Sequence, residues 1–275
     1  MSLRITTLIE NTAGDDASLE HEHGISFFIE KDGHTLLFDT GQSGAFVKNA
    51  AKLGKDLSDL ELVALSHGHY DHTGGFLGLL NITRSFDLCL KESIFHKKYS
   101  FNKQSYTFKG NSFDEELLKE RGIAYRFLTK DVTELIDGVY GVTNFPRIYS
   151  DEVISSNFQV LVEGEYRQDF FEDEILLAID TPEGLVVVLG CSHPGVRNML
   201  DHVKLTLQRP IYAVLGGTHL KEADAGRIAD TVEYLITEVD GPIGVSHCTG
   251  DAAMARLKKE SPRFFHNRTG SVLEV

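Results

Sequence analysis

The chain has 275 residues, 41% of them hydrophobic, and a formal net charge of −14. That hydrophobic share can bury a substantial core, which excludes a disordered chain, and the charge argues against a nucleic-acid backbone or an anionic membrane as partner. Cys89, Cys191 and Cys248 are too few for a disulfide framework and point to a reducing compartment.

Residues 4–10 (RITTLIE) read as a first strand, without the apolar core of a signal peptide. After a polar loop, ISFFIEKDGHTLLFDTG reads as a hairpin around the tight-turn pair Asp32-Gly33. GAFVKNAAKLG (44–54) has helical spacing and a glycine stop. ELVALS reads as a buried strand, GGFLGLLN as a short helix and FDLCL (86–90) as a strand. Residues 96–122 are polar and mixed, with FDEELLKERG helical, and suggest an insertion or lid. Strands follow at AYRFL, GVYGV, EILLAID and GLVVVLG, then a helix at GVRNMLDHVKLTL. PIYAVLGG and PIGVSH read as strands, each followed by a helix, and SVLEV as a last strand. Paired strands giving way to strand–helix alternation, with no long linker, predict one α/β domain over residues 1–275. The longest apolar run, GLVVVLG, is far short of a membrane span, so a soluble cytoplasmic protein is expected.

ELVALSHGHYDHTGGF (61–76) places three histidines and an aspartate within six residues, directly after an apolar strand. Alternate residues of an extended segment share a face, so His67, His69 and Asp71 can converge. His72 joins them only if the chain turns, which Thr73-Gly74-Gly75 favours. Imidazole and carboxylate donors suit zinc, iron or manganese. Three later segments repeat one design, an apolar strand, small residues and then a donor: VVVLGCSHPG (Cys191, His193), YAVLGGTHL (His219) and IGVSHCTG (His247, Cys248). Strand ends gathering polar groups at one sheet edge are where α/β proteins build sites.

On these residues the chain resembles the metallo-β-lactamase superfamily. SHGHYDHTGG matches its HxHxDH signature, and LLFDTG is similar to its preceding strand, ending in Asp39. EHGISFFIE, GCSHPG, GGTHL and HCTG resemble a subgroup named for a ribofuranosyl-aminobenzene phosphate synthase of pterin-type cofactor assembly. The resemblance implies a four-layer αββα sandwich holding two divalent metal ions, zinc foremost, with manganese or iron fitting the same donors. It implies His67 and His69 on one metal and Asp71, His72 and His247 on the second, with Asp39 orienting the histidine loop. The family's usual upstream histidine is missing, because none lies between His96 and His193. His193 is the expected replacement on the first metal. Cys191 aligns with the bridging position, where a thiolate ligand and a packed thiol look alike in sequence.

The expected activity is hydrolysis of a small phosphoester or cyclic-ester metabolite by a hydroxide bridging the two metals. Asp71 would orient the nucleophile, and His219 is the candidate proton donor to the leaving group. His23 could reach the site from the first loop, and Arg147 and Lys221 are candidate contacts for an anionic substrate. No nucleic acid or membrane is expected as partner, and the oligomeric state is not written in the sequence. The alternatives are a di-iron redox protein, weakened because no flavin-binding domain follows, and a metal-binding protein without turnover.

Overall fold

The computed structural model describes residues 2–275, and no helix among them is long and apolar enough to cross a membrane. The chain begins with β1 (Leu3–Ile9), β2 (Ser26–Lys31), β3 (His34–Phe38), α1 (Ala45–Lys52), β4 (Leu62–Ala64), α2 (Tyr70–Thr73), α3 (Phe76–Leu79) and β5 (Asp87–Leu90). It continues through β6 (Lys97–Phe101), β7 (Tyr106–Phe108), α4 (Glu115–Glu120), β8 (Tyr125–Phe127), β9 (Val132–Ile136), β10 (Val139–Val142), β11 (Phe158–Val162) and β12 (Glu165–Gln168). The last elements are β13 (Leu176–Thr181), β14 (Gly184–Val188), α5 (Val196–Leu207), β15 (Ile211–Gly217), α6 (Ala225–Glu238), β16 (Ile243–Ser246), α7 (Asp251–Glu260) and β17 (Val272–Glu274). They form two compact units, the first from residues 2–128, 154–173 and 268–275, the second from 129–153 and 174–267.

The first unit contains a sheet of order β17-β1-β2-β3-β4-β5-β8. β1, β2 and β3 run antiparallel, and β3, β4, β5 and β8 run parallel. The β2–β3 hairpin turns where expected: Asp32 and Gly33 both have positive φ, 50° and 93°, which suits the twist of the flanking strands. Helix α1 buries Ala45, Phe46, Asn49 and Ala50, one face of a helical repeat. Phe46 joins Phe28, Leu37, Val63, Phe76 and Leu88 in a core.

This unit also holds a four-stranded antiparallel sheet of order β12-β11-β6-β7. The polar stretch at 96–122 therefore contains two strands as well as the expected helix α4, which Asp114 caps by accepting from the Leu117 amide. Sequence pattern also missed β9, β11 and β12. β7 and most of β12 are exposed, so no buried face imposes alternation on them.

The second unit is built on a sheet of order β16-β15-β14-β13-β10-β9. β14, β15 and β16 are parallel, with α5 and α6 in the connections. Every residue of β14 and β16 is buried, which for β14 explains its uninterrupted apolar reading. Val187, Met199, Leu200, Val214 and Leu235 lie in this unit's core. Because the three strands are parallel, the loops after Val188, Gly217 and Ser246 leave the same edge of the sheet.

Candidate metal centre

The histidine loop follows β4 in the first unit. His69 is extended and stands at the N-terminus of α2 with φ −79° and ψ 145°. The chain then coils, so Asp71 and His72 sit on a single helical turn instead of continuing the strand alternation. His67 and His72 are fully buried, and His69 and Asp71 nearly so. The ring centroids of His67 and His72 are 4.2 Å apart, and those of His67 and His69 are 4.8 Å apart.

Asp39 organises this loop. Its Oδ1 accepts the Ser66 amide at 2.7 Å, and its Oδ2 accepts the Ser66 hydroxyl at 2.7 Å and His72 Nδ1 at 2.6 Å. A carboxylate only accepts, so His72 carries its proton on Nδ1 and presents Nε2 as a lone pair. Ser66 spends its one proton on Asp39 and therefore accepts from His67 Nδ1 at 2.9 Å. His67 Nε2 is thereby left as a lone-pair donor, 3.1 Å from His69 Nδ1. Two imidazole nitrogens on one tetrahedral zinc, each at about 2.0–2.1 Å, would stand about 3.3 Å apart. The donor set thus fits a divalent ion. Burial holds His67 well below the usual histidine pKa, with the Lys98 charge acting in the same direction, so the ring stays in its neutral, ligating form.

The glycine pair after α2 is required by close approach. A Cβ on Gly74 would lie 2.3 Å from the Gln42 carbonyl oxygen, and one on Gly75 would lie 2.1 Å from that of Thr40. His23 Nε2 lies 3.1 Å from Asp71 Oδ2, so the first loop does reach this aspartate.

Sequence reading missed the support beneath the loop. Asp173 Oδ2 accepts the amide of Gly68, between the two histidines, at 2.7 Å. Lys98 pairs with Asp173 at 2.9 Å and with Asp169 at 2.6 Å, and all three are buried. Burial alone would lower the Lys98 pKa, but the two carboxylates outweigh it and raise it. Lys98 also lies 4.6 Å from the centroid of the Phe171 ring.

In the second unit, Cys191 and His193 follow β14, His219 follows β15, and His247 opens a short turn after β16. The His193 and His219 rings are 4.2 Å apart between centroids. Ser192 fixes the first of these loops: its amide donates to Glu174 at 3.0 Å and its hydroxyl to the Gly217 carbonyl at 2.7 Å. Ser192, His219 and His247 all have left-handed backbone, φ 60°, 47° and 56°, a cost tolerated where side chains must be aimed. The Thr218 and Thr249 hydroxyls lie 3.1 Å apart and join the two later loops. Cys248 has its sulfur among these groups, its Sγ accepting the His219 amide at 3.3 Å. Burial alone would raise the Cys248 thiol, but Cys191, His219 and His247 together hold it well below its ordinary range. The neighbouring Lys221 donates its amide to the Cys248 carbonyl and is exposed, as is Arg147.

Residues 22–148 match the model of the metallo-beta-lactamase superfamily. Over 271 residues the chain is 31% identical to the 7,8-dihydropterin-6-methyl-4-(beta-D-ribofuranosyl)-aminobenzene-5'-phosphate synthase of Methanocaldococcus jannaschii, covering 94% of this chain and 92% of that one. A solved metal-dependent hydrolase of the beta-lactamase superfamily is 32% identical and superposes with a TM-score of 0.86 over 99% of each chain. The metallo-beta-lactamase fold protein YhfI of Bacillus subtilis shares only 12% identity but the same fold, with a TM-score of 0.61. The expected α/β fold is therefore the one found, and the chain belongs to the metallo-β-lactamase superfamily.

Proposed function

We propose that the protein is a dinuclear metal-dependent hydrolase acting on a small anionic phosphoester or cyclic ester. The observation that carries this reading is the hydrogen-bond arrangement around Asp39, which turns the Nδ1 of His67 and of His72 to the support and leaves each Nε2 to face a metal inside a buried loop. In this proposal His67, His69 and His193 hold one divalent ion, and Asp71, His72 and His247 the second. Cys191 stays between two roles, bridging ligand and packed thiol. Zinc is the first candidate, with manganese and iron compatible with the same donors. When bound, such ions supply Lewis-acid polarisation of a substrate oxygen and acidify a water to a pKa of about 7.

The chain's own residues would do the rest. Asp71, steadied by His23, would hold the attacking water in line, and Asp39 would keep the His72 proton on Nδ1. His219 would carry a ring proton to the leaving oxygen. Arg147 and Lys221 would receive the anionic end of the substrate through charge-assisted hydrogen bonds. The relative's name contains a ribofuranosyl 5'-phosphate, which favours a phosphorylated substrate here as well.

The test is metal content per chain by mass spectrometry, followed by a screen of phosphoesters and lactones. Two zinc or manganese ions with turnover on one of these classes is the expected result. Two irons without hydrolysis would replace this reading with a redox one, and no metal even after reconstitution would end it.

A further inference from the structure

The second unit contains a donor set that the proposed metal pair does not use as a set. Cys191 Sγ, Cys248 Sγ and a ring nitrogen of His219 all lie within 4.8 Å of one another. Both sulfurs are buried, with Cys191 3% and Cys248 1% exposed. Two thiolates on one tetrahedral zinc, each at about 2.3 Å, would stand about 3.8 Å apart, so small side-chain shifts would close the set.

Three features hold it in place. Cys248 Sγ lies 3.4 Å from the Cys191 carbonyl and accepts the His219 amide at 3.3 Å. Gly217, the last residue of β15, makes room for the sulfur: a Cβ there would lie 2.5 Å from Cys248 Sγ. His219 adopts left-handed backbone, a strain that points to a required side-chain direction. None of these is a feature of ordinary apolar packing. A buried cysteine packed as a hydrophobe needs neither a glycine opposite its sulfur nor an amide aimed at it.

We propose that Cys191, Cys248 and His219 form a soft-metal site for a thiophilic ion such as zinc, cadmium or copper(I), filled when Cys191 does not bridge the proposed pair. Two thiolates and an imidazole are the donors such ions prefer over harder cations, and three protein ligands leave one position open. Each thiol that coordinates gives its proton to solvent, and no electron is transferred. Occupancy would also engage His219 and so inhibit turnover. That consequence rests on the proton role proposed for His219, whereas the binding does not.

The first measurement is optical titration of the purified full-length protein with cobalt(II) alone. Near-ultraviolet thiolate-to-cobalt absorption is expected in the wild type, and its loss in Cys248→Ser and in Cys191→Ser. Cobalt bound with no thiolate absorption overturns the soft site and leaves the hydrolase reading standing. Thiolate absorption that survives in Cys248→Ser but not in Cys191→Ser also overturns it, because Cys191 then serves the other metals. Should the serine variants fail to fold, X-ray absorption of the zinc-loaded wild type decides. Sulfur neighbours at about 2.3 Å are expected, and nitrogen and oxygen alone would refute the proposal.

Discussion

Asp39 Oδ2 receives the Nδ1 proton of His72 at 2.6 Å while Asp39 Oδ1 receives the Ser66 amide at 2.7 Å, so one carboxylate ties together both ends of the histidine loop. Asp39 itself has φ 59°, a conformation that asparagine tolerates well. Asp39→Asn should therefore keep the backbone while losing the charge that fixes the His72 tautomer. Metal affinity should fall about 10- to 100-fold, read by competition with a chromophoric chelator. An unchanged affinity would remove Asp39 from the metal's support.

Gly75→Ala tests the close approach behind the loop. The added methyl would lie 2.1 Å and 2.4 Å from the carbonyl oxygens of Thr40 and Ser43, and backbone cannot yield cheaply. Destabilisation of about 1–3 kcal/mol or more is expected, visible as a lower midpoint in thermal unfolding. A variant as stable as the wild type would show that the loop can relax.

Lys98→Met strands two buried carboxylates, Asp169 and Asp173, without their shared cation. Removing one member of a buried ion network costs about 3–5 kcal/mol, measurable in urea unfolding. Adding Asp169→Asn and Asp173→Asn should recover part of that loss. Because the Asp173 carboxylate accepts the Gly68 amide more strongly than an asparagine oxygen would, the triple variant should still bind metal more weakly than the wild type.

Arg147→Ala and Lys221→Ala separate substrate binding from chemistry. If these exposed side chains meet an anionic group, KM should rise about 10-fold each, roughly 1.4 kcal/mol, with kcat nearly unchanged. Steady-state kinetics on the best substrate of the screen gives the answer, and unaltered KM in both variants would reassign them to the general surface.

Asp201 sets an alkaline limit in the second unit. It accepts from Tyr149 at 2.6 Å, Tyr234 at 2.5 Å and Lys204 at 2.8 Å. The hydrogen bond to Asp201 pushes the Tyr149 phenol up to about 12, and burial pushes that of Tyr234 up as well. A phenol whose folded pKa exceeds its unfolded value of 10 lends stability that is complete below pH 10 and lost as pH rises through the folded value. Stability should therefore drop between pH 10 and about 12, and Tyr149→Phe should flatten that drop in a pH series of thermal melts.

Local pattern carried much of this protein. HGHYDH lies within six residues, so its chemistry is legible without a fold, and the continuous apolar run of β14 announces a strand buried on both faces. The Asp32-Gly33 turn and the glycine stop after α1 are likewise properties of short segments. Other features depend on neighbours distant in sequence. Lys98 finds Asp169 and Asp173 across 71 and 75 residues, and each alone is an ordinary charged residue in a polar stretch. β6, β7, β11 and β12 exist because they pair with one another, and the exposure of β7 and β12 leaves no hydrophobic period to read there. The turn at Tyr70 that brings Asp71 and His72 onto one coil, and the seat of Cys248 opposite Gly217, follow from backbone approach within the folded chain. The sequence by itself determined which donors the protein carries, because ligand chemistry resides in residue type. Only the tertiary structure decided how each donor is protonated, supported and aimed, because those depend on partners that contact in the fold alone brings together.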